Sequence, residues 1–134
     1  MKFPAKFPSL RKLAIVTGAV GVIWIALEGK LHWAVLMALL TTALTAGTLI
    51  QRYLGGLELS SNEWLAALLG IGALFGATAA LLTLLFMVVK TGLHGHGPEF
   101  TPEQVQWVIR QIPLWSGAGA LAGLGIGLIS LRRQ

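Results

Sequence analysis

Apolar residues in this chain come in long blocks rather than in a period of two or 3.6, and the polar residues sit between the blocks. The first block, "LAIVTGAVGVIWIAL", is closed by the tight turn "EGK". "LHWAVLMALLTTALTAGTLI" follows and ends at "QRY". "WLAALLGIGALFGATAALLTLLFMVV" is the longest, and "LWSGAGALAGLGIGLISL" closes the chain before two arginines. Blocks of about 18 or more residues that lack charges read as membrane spans. The pattern predicts an all-α integral membrane protein with one membrane domain over 1–134. Its four transmembrane helices are expected at about 10–27, 31–50, 64–89 and 114–131. The third exceeds the bilayer core, so it should tilt or project. Ser61 or Asn62 is placed to cap its start, with Glu63 in the first turn, where an acid suits the helix dipole.

The longest polar interruption, 90–113, holds more than a turn. In "TPEQVQWVIRQIP", Thr101 suits an N-cap, Pro102 the first helical position and Gln104 the far corner of a capping box. Val105, Val108, Ile109 and Ile112 form a narrow apolar stripe. Pro113 should end the segment, because the residue before a proline avoids the helical region. The expectation is a short amphipathic interfacial helix lying on the outer membrane face before the fourth span. On that wheel Trp107 falls on the polar side, as an anchor for a partner or for headgroups, unless it turns inward to pack.

Composition agrees with a membrane setting. The chain is 55% hydrophobic and 11% charged, against about 25% charged in a soluble domain. The absence of cysteine excludes disulfides, thiol catalysis and Cys-based metal sites. The net charge of +5 comes from residues that flank the spans, so it points to topology and anionic lipid rather than to nucleic acid. With the N-terminus inside, Lys2, Lys6, Arg11, Lys12, Arg52, Arg132 and Arg133 lie inside and Lys30, Lys90 and Arg110 outside. That bias predicts both termini on the cytoplasmic or stromal side of an inner or thylakoid membrane. Trp24, Trp33, Trp64 and Trp115 stand near span ends, as interfacial anchors do. No small-x-small cleavage site precedes "EGK", so the first block is expected to be an uncleaved span rather than a signal peptide.

Candidate chemistry is sparse. His32, His94 and His96 fall on the outer side with Glu28, Glu99 and Glu103. Histidine and carboxylate suit zinc, copper or iron, which makes His94 and His96 candidate metal ligands. His32 is the candidate axial ligand for haem or a pigment. Against these stands solvated loop chemistry with Gly and Pro turns, and no cofactor is expected. "GAGALAG" imitates a dinucleotide fingerprint, but no strand precedes it. No charge is expected in mid-membrane. A four-helix multidrug exporter would carry a membrane-embedded glutamate in its first span, and Glu28 stands at its end, so that likeness fails. No nucleophile–base constellation appears, and the chain is not expected to be an enzyme.

Small residues give a stronger signal. Gly119, Gly123 and Gly127 are four apart on the fourth span, and Gly72, Gly76 and Ala80 repeat this on the third. Such ridges let helix backbones approach closely in lipid. Thr41, Thr45 and Thr48 make a hydroxyl stripe able to bond across helices or back to their own carbonyls.

The stretch "KTGLHGHGPEFTPEQVQWVIRQIPLW", with the glycine-rich final span behind it, resembles small membrane proteins of cyanobacteria and chloroplasts. The resemblance covers the last third of the chain. It implies a thylakoid location, a lumenal outer loop and an accessory or assembly role beside a photosynthetic complex. The expected function is a non-catalytic accessory subunit or assembly factor. Its interface would use Gly72, Gly76, Gly119, Gly123, Gly127, Trp107 and Arg110, with lipids, other integral membrane proteins or further copies of itself as partners. The alternatives are a small transporter or channel component and a metal- or pigment-binding membrane protein.

Overall fold

The computed structural model describes residues 1–95 and 97–133. Four α-helices follow one another: α1 Leu10–Ala26, α2 Leu31–Leu49, α3 Ser61–His94 and α4 Pro102–Arg132. A π turn, Ile50–Leu54, prolongs α2. The helices pack in chain order as a row, α1 on α2, α2 on α3 and α3 on α4, with α3 and α4 in the most extensive contact. Leu10 meets Gly47 and Trp64 meets Ser130 at one end of the row, while Lys90 meets Trp24 at the other. The helices therefore run up and down in alternation.

Three helical segments are long and apolar enough to cross a membrane: Leu31–Leu54, Ser61–His94 and Pro102–Arg132. At 1.5 Å per residue, α3 is about 51 Å long and α4 about 46 Å, well beyond a hydrocarbon core of about 30 Å. The 17 residues of α1 reach only about 26 Å.

The small-residue ridges pack α3 against α4 within the chain. A Cβ on Gly72 would run into the Gly119 carbonyl oxygen, and one on Gly119 into the carbonyl of Gly72. Gly76 lies against the Trp115 carbonyl, and Gly123 against that of Leu68. At Gly127 the neighbour is the side chain of Leu65 at 2.8 Å. With the backbones this close, Ser116 Oγ donates across to the Ala73 carbonyl at 3.1 Å. Dispersion over a long, closely fitted seam supplies the attraction that the hydrophobic effect cannot provide in lipid.

The helix starts follow capping chemistry. Thr101 and Gln104 close a reciprocal box at the start of α4, with Thr101 N–H donating to Gln104 Oε1 at 3.0 Å and Pro102 first in the helix, as expected. The cap of α3 is Ser60, one residue earlier than the sequence suggests, and its N–H donates to Glu63 Oε2 at 2.9 Å. Of the hydroxyl stripe, Thr48 bonds back to the Leu44 carbonyl at 2.7 Å; Thr42, outside that stripe, bonds back to the Ala38 carbonyl at 2.7 Å.

One expectation is overturned. The separate interfacial helix ending at Pro113 does not form; α4 runs unbroken through that proline. Pro113 cannot donate to the Ile109 carbonyl, which costs a soluble helix about 3 kcal/mol or more. Val105 and Val108 offset this by packing on α3: Val108 is completely buried in a cluster with Ala34, Met87 and Phe100. Membrane helices tolerate internal prolines in such settings.

Two of the expected interfacial tryptophans also pack inward. Trp24 sits edge-on to Phe86 at 5.5 Å. Trp64 lies 4.6 Å from Phe3 and donates its indole N–H to Ser130 Oγ at 2.9 Å. Phe3 belongs to an N-terminal segment that folds back on the α2–α3 connection. Leu59 N–H donates to the Met1 carbonyl at 2.8 Å, and Lys2 pairs with Glu58 at 3.4 Å.

Candidate functional site

The apolar run of the third block stops at Val89, yet α3 continues for another turn, to His94. Its natural stop is Gly95, which adopts the left-handed conformation (φ 62°) that suits glycine after a helix. Continuing the helix carries Lys90 inward. Lys90 is completely buried, and its Nζ donates to the carbonyls of Trp24 at 2.7 Å and Ile25 at 3.0 Å. The ammonium also lies 5.1 Å from the centre of the Trp24 ring, over its face.

Those carbonyls belong to the last turn of α1. The Ile23 carbonyl is satisfied by Leu27 N–H at 3.1 Å, but helix geometry leaves Trp24 and Ile25 without donors of their own. At this end of α1 the Trp24 side chain is buried, and Lys90 approaches from α3. Lys90 provides both bonds and a cation at the negative end of the helix dipole. Lys90, expected as an outer-loop charge, is instead buried near the end of α3 against the end of α1.

One turn beyond Lys90, His94 Nδ1 lies 2.9 Å from Glu99 Oε1 and 3.3 Å from the Lys90 carbonyl. Glu99 Oε2 is buried and has no hydrogen-bond partner among the described residues. It rests on Gly29 in the α1–α2 turn, where any Cβ would collide with the carboxylate. A lysine, a histidine and a glutamate thus line the space between the end of α1, the α1–α2 turn and the α3–α4 connection. The arrangement joins three segments.

The other sequence candidates are dispersed. His32 is exposed at the start of α2, with its ring 5.6 Å from that of Trp33. His96 lies outside the described residues. Among the described residues no three His, Asp or Glu side chains converge as metal ligands. His94 and Glu99 form a pair, one ligand short of the three that zinc sites take from protein. The glycines Gly72, Gly76, Gly119, Gly123 and Gly127 serve the α3–α4 seam. Trp107 is 45% exposed and meets Trp115 edge-on at 6.3 Å, so of its two expected orientations the outward one holds.

A second feature emerges from the register of α4. Val108 packs beside Leu84 and Met87, well inside the apolar stretch of α3. On the side of α4 away from that contact, Glu103, Gln106, Trp107 and Arg110 are all exposed. Their spacing of three, four and seven puts them on one helix face. The sequence assigned this polar face to a separate helix on the membrane surface; here it is the outward face of the first turns of α4.

No family model, curated protein or solved structure matches the chain.

Proposed function

We propose that this protein is a non-catalytic accessory subunit or assembly factor of a membrane protein complex, and that its partner docks on the outward face of the first turns of α4. The observation that carries this reading is the strip of Glu103, Gln106, Trp107 and Arg110, exposed together on one face of α4. The strip lies in the first turns of α4, which at about 46 Å outruns a hydrocarbon core of about 30 Å, so its polar face and exposed tryptophan lie toward the membrane surface, where a protein partner can cover them. Trp and Arg are also the residue types that dominate interface energetics. In this reading α1 is a fourth crossing, shortened by the Lys90 contact. Lys2, Lys6, Arg11, Lys12, Arg52, Arg132 and Arg133 favour an arrangement with both termini inside. A bacterial inner membrane fits that arrangement, and so does the thylakoid membrane that the resemblance implies.

A photo-crosslinking residue at position 107 tests this reading in the native membrane. The expected result is one discrete protein adduct. Its yield should fall about 30-fold in an Arg110→Leu background, the equivalent of roughly 2 kcal/mol. Adducts to lipid alone, or a protein adduct equally strong from position 121 on the opposite stretch of α4, would count against the proposal.

The Lys90–His94–Glu99 group, with Lys90 buried, favours one other reading, a component of a small proton-coupled carrier. Ionisable side chains inside a membrane domain often mark proton paths. In proteoliposomes, proton flux that disappears with Glu99→Gln would promote it over the accessory role.

A further inference from the structure

At the end of the row opposite Lys90, α2 and α3 diverge and leave a groove of about 490 Å³. Thr42, Ala46, Tyr53, Ile71, Phe75 and Thr78 are among its walls, which are almost entirely apolar. The Thr42 hydroxyl is already bonded to the Ala38 carbonyl, so it asks nothing of an occupant. The π turn forms the rim: Ile50, Tyr53 and Leu54 all line the groove. Such turns widen the helix and occur often at functional positions.

Charge at the mouth indicates the occupant. Arg52 is exposed, with its guanidinium 5.5 Å from the centre of the Tyr53 ring. The start of α1 lies alongside, because Leu10 packs on Gly47, and it brings the exposed Arg11 and Lys12 to the same end. The acids described at this end are engaged elsewhere: Glu58 pairs with Lys2 at 3.4 Å, and Glu63 caps α3 through Ser60. An apolar slot between two helices long enough to cross a membrane, with Arg52 over its lining residue Tyr53 and further cations at the same end of the row, matches an acyl chain carrying an anionic head. A neutral headgroup would leave the cations unused, and a free phosphate would leave the slot unfilled.

We propose that the α2–α3 groove binds one anionic phospholipid, with an acyl chain between Ala46 and Phe75 and its phosphate at Arg52. The site is independent of the α4 docking strip, so either can fail without the other.

Native mass spectrometry of the full-length protein tests it, using detergent micelles with equimolar phosphatidylglycerol and phosphatidylcholine of matched chains. One phosphatidylglycerol should be retained per chain, preferred about tenfold over phosphatidylcholine. Arg52→Gln should bring the two lipids close to parity without lowering total retention much. Ala46→Phe, which fills the slot, should remove both. Thr45→Phe, on the open rim, is the second blocking variant should Ala46→Phe fail to fold, and Leu121→Phe on the distant face of α4 should change nothing. Equal retention of the two lipids by the parent protein would overturn the proposal. Retention undisturbed by a folded blocking variant would also do so, by showing that the lipid is only annular.

Discussion

Lys90→Met is expected to destabilise the folded protein by about 3 kcal/mol, although methionine is more at home in an apolar interior. A hydrogen bond to a charged group contributes roughly 1.5–3 kcal/mol, and a buried acceptor left unpaired costs about 1–3 kcal/mol. Lys90 makes two such bonds, to Trp24 and Ile25. Removing the ammonium recovers part of its desolvation cost, but the two carbonyls remain where they are. Orphaned acceptors win, because the substitution removes one partner and keeps the other. Lys90→Gln retains a donor and should lose less. Chemical unfolding in mild detergent gives the magnitude, with Leu82→Ile as the neutral reference. Proteolysis in the α1–α2 turn gives the location, since loss of the cap should loosen the end of α1 first. A Lys90→Met protein as stable as the reference would show that the end of α1 is satisfied by other means.

Substitutions on the α3–α4 seam should cost as much and should discriminate sharply between neighbouring glycines. Gly119→Ala puts a methyl group into the Gly72 carbonyl, and Gly76→Ala puts one into the carbonyl of Trp115. Backbone atoms on both sides cannot swing away, so each should cost about 3 kcal/mol, the upper range for overpacking. Gly76→Leu should prevent the hairpin from closing. Gly117 stands two residues from Gly119 and has open space where its Cβ would go. Gly117→Ala should therefore be neutral or slightly stabilising, since alanine favours helix by about 1 kcal/mol. Thermal unfolding of the three alanine variants is the check. Equal stability for Gly117→Ala and Gly119→Ala would mean that the helices do not approach as closely as the seam requires.

Much of the fold is legible in the sequence because it rests on local or periodic signals. The apolar blocks give α2, α3 and the second part of α4. Four-residue spacing of Gly72 with Gly76 and of Gly119 with Gly123 marks the faces that meet. Thr101, Pro102 and Gln104 announce the start of α4 through their caps. The failures share a cause, since each depends on a contact between segments far apart in the chain. Pro113 reads as a stop when only its neighbours are considered, whereas Val108 against Met87 and Ala34 holds the helix together across it. Lys90 reads as a loop charge because it follows the apolar run, and nothing nearby reveals that the end of α1 needs its protons. One local clue was available: Gly95 is a better helix stop than Lys90, which places the lysine inside the last full turn of α3. The Glu99 contact with Gly29 has no signature at all, being a meeting of two connections.

The status of α1 decides the architecture, and the cysteine-free chain makes it directly measurable. Single cysteines at Ser9, Glu28 and Arg133, all exposed positions, can be labelled with a membrane-impermeant maleimide in sealed vesicles of known orientation. If α1 crosses the membrane with its end capped by Lys90, Ser9→Cys and Arg133→Cys react from the same side and Glu28→Cys from the other. Labelling of Ser9→Cys and Glu28→Cys from one side would contradict a fourth crossing and leave α1 lying on the membrane surface.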